Sequence, residues 1–187
     1  MIANRIHNSP IRRHSHGFTL IELMTALGVF AILMSVGAPA LKTFIESNEL
    51  ITETNRINGM LASVRMEAVK RNMQTMLCPS SNRTSCNAST WSSGWIAFND
   101  ANADGKLATD GTETVFAVGE ATSGNVRMSG STTVATSIRY KADGALQSDA
   151  GTLTICTTGD VSPNARKISL TTGGRTRVDS ATVTACQ

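Results

Sequence analysis

The stretch GFTLIELMTALGVFAILMSVGAPAL, residues 17–41, decides how the chain is organised. From Phe18 to Leu41 it is almost wholly apolar, and Glu22 is its one ionisable side chain. Wound as a helix, twenty-odd residues rising about 1.5 Å each cover a hydrocarbon core of about 30 Å. The flank before it is polar and basic: Arg5, Arg12 and Arg13 precede residue 18, and no acid does. Basic residues beside a span stay cytoplasmic, which directs the remainder of the chain to the opposite side. A secretory signal peptide is the simpler reading, but its apolar core is shorter and is cut after the run. A plain single-span anchor explains the length and not the carboxylate, which costs on the order of a few kcal/mol in hydrocarbon and so calls for a partner.

The 187-residue chain carries 17 Lys and Arg against 14 Asp and Glu; with the three leading arginines set aside, 14 of each sign remain. A balanced body excludes a broadly basic nucleic-acid binder and leaves room only for local contact. Four cysteines (Cys78, Cys86, Cys156 and Cys186) in a chain with a membrane or export signal point to disulfides in an oxidising compartment. They form no CxxC pair, and all three histidines (His7, His14 and His16) lie at the N-terminus, so zinc ligation is not expected. No nucleophile–base pair, metal cluster or phosphate-binding loop is legible, so neither catalysis nor a cofactor is expected.

The string Gly17-Phe18-Thr19-Leu20-Ile21-Glu22-Leu23 resembles the processing site of type IV prepilins and type II secretion pseudopilins. The resemblance implies that prepilin peptidase cuts between Gly17 and Phe18 and methylates the new amine of Phe18. The family's acidic residue falls on Glu22 and its proline on Pro39. In an assembled filament of that family the carboxylate meets a neighbouring subunit's N-terminal amine, a pairing that compensates two charges in an apolar setting. Pro39 removes a backbone donor, and the resemblance implies local melting of the helix there on assembly.

Beyond Pro39 the helix is expected to run to about residue 72. Leu41, Phe44 and Ile45 cluster, and Ile57, Leu61, Val64 and Ala68 recur at i, i+4, i+7 and i+11, a stripe that packs on a globular head. From Thr75 the composition turns to Thr, Ser, Gly and short β-type runs. Strands are expected at residues 75–78, 95–99, 114–118, 126–129, 137–141, 152–157 and 167–171, separated by Gly, Asn or Asp turns. The expected fold is α+β: one long N-terminal helix packed on an antiparallel β-rich head. The expected divisions are a leader at 1–17, a transmembrane half-helix at 18–41, an amphipathic half at 42–72 and a periplasmic head at 73–187.

Within the head, Trp91-Ser92-Ser93-Gly94-Trp95-Ile96-Ala97-Phe98-Asn99-Asp100, followed by Asn102, Asp104 and Gly105, is similar to an element of H-type pseudopilins (GspH) and FimT/FimU minor pilins. Four cysteines allow three pairings. Local pairing, Cys78–Cys86 and Cys156–Cys186, is the simplest and would tether the C-terminal tail. Asp100, Asn102, Asp104 and Gly105 match the first half of a calcium loop, but Gly111 stands where its bidentate glutamate belongs. A polar turn capped by Asx side chains is the competing reading, and the one preferred.

Gly173-Gly174-Arg175-Thr176-Arg177 resembles the Gly-Arg-x-Arg element of FimT-type pilins, which bind DNA in natural transformation. Residues 127–187 hold seven basic and four acidic side chains. Arg175 and Arg177, with Arg166 and Lys167 as helpers, are the candidate phosphate contacts, without base readout. A solvated hairpin, or ion pairs to a neighbouring subunit, is the alternative. The function implied is that of a minor pilin supporting pilus assembly and contacting DNA; the alternative is an H-type pseudopilin of a type II secretion system. Other pilins, prepilin peptidase, the inner membrane and DNA are the partners this implies.

Overall fold

The computed structural model describes residues 17–122, 124–158, 164–183 and 186; most of the expected leader, with its arginines and histidines, lies outside them. One helix, α1, spans Leu20–Arg71 and includes Pro39. Its start is capped by Thr19, whose hydroxyl accepts the Glu22 amide at 3.3 Å, half of a Thr-x-x-Glu capping box. Its end is a Schellman closure. Met73 N–H reaches Ala68 O at 3.2 Å and Asn72 N–H reaches Val69 O at 3.3 Å, with Asn72 at φ 52°, a left-handed conformation asparagine tolerates.

The chain divides into two units at Leu41. In the first, no described residue is buried. In the second, Leu50, Thr54, Ile57, Leu61, Val64 and Ala68 are buried at alternating spacings of four and three, the stripe expected of an amphipathic helix. Thr54 joins the stripe because its hydroxyl donates to Leu50 O at 2.7 Å.

Among the described residues, eight strands form two antiparallel sheets. The first, in order β3-β2-β1-β5, uses Thr75–Pro79 (β1), Trp95–Asn99 (β2), Val115–Gly119 (β3) and Ile138–Tyr140 (β5). The second, in order β4-β6-β7-β8, uses Val126–Gly130 (β4), Gly151–Thr157 (β6), Asn164–Leu170 (β7) and Thr176–Thr182 (β8). The helix stripe meets inward residues of both, among them Leu77, Ala97, Ile138, Met128, Leu153, Ile155 and Ile168. Together these make the α+β arrangement of one long helix on antiparallel sheets.

The sheets differ in what covers their far sides. Every residue of β1 and β2 is buried. A second cluster, Met76, Cys78, Ile96 and Phe98, lies apart from the main core and is joined by Leu107 and Val115. The loop that carries Leu107 therefore roofs the first sheet. In the second sheet β4 alternates buried and exposed, the pattern of a sheet with one wet face.

Two details depart from the sequence reading. β7 begins at Asn164, three residues before the expected strand, and residues 176–182 form a full seven-residue strand paired with β7 from end to end. β8 has a single large apolar residue, Val178, so its composition reads as a loop. It is held by its ladder and by the tight turn from Thr171 to Arg175, where Gly174 N–H donates to Thr171 O at 2.8 Å.

Candidate functional site

The N-terminal motif sits at the mouth of α1. Gly17, Phe18 and Thr19 precede the helix, and Phe18 is 83% exposed. Glu22 lies in the first helical turn, where unpaired backbone N–H groups favour a carboxylate. The segment onward from Leu20 is long and apolar enough to cross a membrane.

The cysteines are joined as Cys78–Cys86, closing 8 residues, and Cys156–Cys186, closing 30. The first pins the 80–90 loop to β1. The second fastens the C-terminal end to β6.

In the 100–113 loop the acidic oxygens serve backbone donors. Glu113 accepts from Ala101 N–H and Ala108 N–H, each at 2.9 Å, and so holds the loop together from a buried position. Asp100 Oδ2 accepts from Gln74 Nε2 at 2.7 Å and from Gly105 N–H at 3.1 Å. Asn102 and Asp104 cap the turn, accepting from Asp104 N–H at 3.1 Å and Lys106 N–H at 2.8 Å. Thr112 donates its hydroxyl and its amide to Asp110, which holds that carboxyl below the ordinary range. A side chain at Gly105 would meet the Arg139 guanidinium at 2.6 Å, so a cation already packs on this loop. Among the described residues no three His, Cys, Asp or Glu side chains converge on a metal position. The geometry is that of the Asx-capped turn.

The arginine turn has a structural logic of its own. Gly174 has φ 76°, and an added Cβ would lie 1.9 Å from Gly144 O, so two hairpin turns touch there with no room for a side chain. Arg65 of α1 clamps both: its Nε donates to Gly144 O at 2.8 Å and its Nη2 to Gly173 O at 3.2 Å. Its role depends on two turns about 80 and 110 residues away, brought together by the fold.

Of the four candidate phosphate contacts, three are exposed: Lys167, Arg175 and Arg177. Arg177 donates its Nε to Asp179 at 2.9 Å and stays 79% exposed. Arg166 is separated from them. In β7 it alternates with Lys167, pairs in register with Ser180, and lines a hollow with Ser47, Leu50 and Ile51 on the helix side of the sheet. Adjacent strand residues face opposite ways, so Arg166 and Lys167 cannot serve one surface.

Comparisons with known proteins match this architecture. The family model of the type II transport protein GspH matches residues 53–174, more than half of the chain, and the prokaryotic N-terminal methylation motif matches residues 12–38. No curated protein matches. Among solved structures the fold is similar to the type IV minor pilin FimU of Pseudomonas aeruginosa PAO1. In one crystal form the TM-score is 0.56 and the identity 20%, covering 77% of this chain and 99% of that one. In another the values are 0.53 and 17%, covering 74% and 100%. With a methylation motif, an apolar N-terminal helix and this head, the chain belongs to the GspH family of type IV pilin-like proteins, structural pilins and pseudopilins that assemble with others of their kind after processing by prepilin peptidase.

Proposed function

We propose that the chain is a minor pilin of a type IV pilus, a filament subunit rather than an enzyme. Residues 1–17 are its leader, cleaved between Gly17 and Phe18 with methylation of the Phe18 amine. Residues 18–41 anchor it in the inner membrane, residues 42–72 continue the helix, and residues 73–187 stand in the periplasm. Glu22 pairs with a neighbouring subunit's terminal amine, and Pro39 lets the helix loosen as the subunit packs. Arg175, Arg177 and Lys167 contact DNA phosphates during uptake.

The observation that carries the pilus reading is the arginine turn, with Arg175 and Arg177 exposed on a head tethered by two disulfides. The likeness to FimU, nearly all of which is spanned, supports it. A second reading, the H-type pseudopilin of a type II secretion system, is favoured by the description of the matching family model. Deleting the gene in its host separates them. Loss of piliation and of DNA uptake with normal protein secretion supports the first reading. Accumulation of secretion substrates in the periplasm with normal pili sinks it in favour of the second.

A further inference from the structure

Asp100 follows the last residue of β2 and is 0% exposed, and its two carboxylate oxygens fare differently. Oδ2 accepts from Gln74 Nε2 at 2.7 Å and from Gly105 N–H at 3.1 Å. Oδ1 is equally shut off from water and, among the described residues, accepts no hydrogen bond and joins no ion pair. Leaving a buried carboxylate oxygen in that state is costly, and what it lacks is a donor or a cation.

The bond from Gly105 closes residues 100–105 into a ring on this carboxylate, and Asn102 and Asp104 are members of the same ring. Left-handed backbone at Ala103 (φ 60°) and Gly105 (φ 75°) coils the chain between them. Asn102 and Asp104 are exposed and hold each other: Asn102 Nδ2 donates to Asp104 Oδ2 at 3.1 Å, and Asp104 N–H donates to Asn102 Oδ1 at 3.1 Å. The turn thus caps itself with those two side chains, and Asp100 Oδ1 is the oxygen that capping leaves over. Arg139 packs where a Gly105 side chain would project, while the Gly105 N–H points to Asp100; the guanidinium forms no ion pair with Asp100 or Asp104.

We propose that residues 100–106 bind a calcium ion, with Asp100 Oδ1, Asn102 Oδ1, an oxygen of Asp104 and the Lys106 carbonyl as ligands and water completing the shell. Two carboxylates, an amide and a carbonyl are hard oxygen donors at alternate positions, the set calcium takes and a transition metal does not favour. Gly111 stands where a bidentate carboxylate would close the shell, and both oxygens of Glu113 are spent on the amides of Ala101 and Ala108. Affinity is therefore low, at a dissociation constant of about 10⁻⁴–10⁻³ M, the range of extracellular calcium modules. Leu107, next after the last ligand, packs on the cluster of Met76, Cys78, Ile96 and Phe98, so the ion fastens the roof of the first sheet. The site belongs to the head alone and stands without the pilus or DNA reading.

The test is calcium chloride added to the chelator-stripped full chain in neutral detergent, read by calorimetry, thermal unfolding and hydrogen exchange, with magnesium chloride at equal ionic strength as reference. Calcium at about 10 mM raises Tm by about 3–5 °C and slows exchange in residues 100–113, and magnesium does neither. Asp104→Asn, at an exposed side chain that keeps its capping oxygen, weakens calcium binding about tenfold, and Asp100→Asn abolishes it. Asp110→Asn, in the same loop but outside the ring, changes nothing. Arg139→Gln removes a like charge and tightens binding a few-fold. A wild-type chain that ignores calcium overturns the proposal. An equal response to magnesium makes the effect one of charge screening and overturns it too. A calcium response that survives in both Asp100→Asn and Asp104→Asn places the ion elsewhere and overturns the site.

Discussion

The two sheets of the head share the same helix and have opposite outer faces. In the first, the central strands β1 and β2 are buried on both sides, because the 80–90 and 100–113 loops fold over them and Met76, Cys78, Ile96 and Phe98 make a core of their own beneath. The second is buried toward the helix, and its other face shows water Ser, Thr and basic side chains except where the Cys156–Cys186 bridge lies and Cys156 and Ala165 are buried. A sheet roofed by loops gives stability and little surface. A sheet left bare gives surface, at the cost of relying on its helix-side packing and on a disulfide at its end.

Truncating the roofed side should have the largest effect. Phe98→Ala empties a fully buried position and is expected to cost about 3–5 kcal/mol, whereas Thr154→Ala on the bare face stays within about 0.5 kcal/mol. Denaturant unfolding of the two variants decides it, and similar losses would erase the contrast between the sheets.

Removing the Cys156–Cys186 bridge as a double alanine variant should cost about 3.6 kcal/mol from the 30 residues it closes, against about 2.5 kcal/mol for the 8 residues closed by Cys78–Cys86. The comparison is sharpened if the bare sheet proves the more dependent on its staple. A reversed order would place the weight on Cys78, which also packs in the roofed cluster.

Tyr140, on β5, is fully buried with its hydroxyl unpartnered, and burial pushes its pKa up to about 12 despite the nearby Arg65 charge. An unfolded tyrosine ionises near pH 10. The neutral ring therefore contributes its full stability below about pH 10 and loses it as pH rises toward about 12, a difference of about 2.7 kcal/mol. In Tyr140→Phe that alkaline decline should flatten while stability at pH 7 holds. Thermal unfolding scans between pH 8 and 12 measure it, and an unchanged decline would place its origin elsewhere.

The smallest effect is expected in the roof itself. Glu113→Ala orphans the amides of Ala101 and Ala108, at about 2 kcal/mol, and should raise hydrogen exchange in residues 100–113 without touching the second sheet. Exchange rising equally in β7 and β8 would show that the loop and the far sheet are coupled.

Much of the fold is legible in the sequence. Trp95–Asn99 matches its expected strand end for end, and the helix ends at Arg71, one residue short of the expected place. Both have strong local signals, an apolar run bounded by Gly94 and Asp100 in one case and an Asn able to take a left-handed turn in the other. β8 carried no such signal, because an edge strand with one large apolar residue is stabilised by its partner and not by its own composition. The arginine turn reads as an electrostatic motif, yet half of its pattern is a packing requirement: Gly174 is small because Gly144 touches it.

By itself the sequence determined the helix, its apolar first half, the processing motif and the alternation of the strands, since each depends on neighbours within a few residues. Only the tertiary structure decided which sheet is roofed, which cations share a face, and that Arg166 turns away from Lys167. Those are matters of register and of loops closing over distances that no local pattern encodes, and a shift of one residue reverses the face on which a side chain stands.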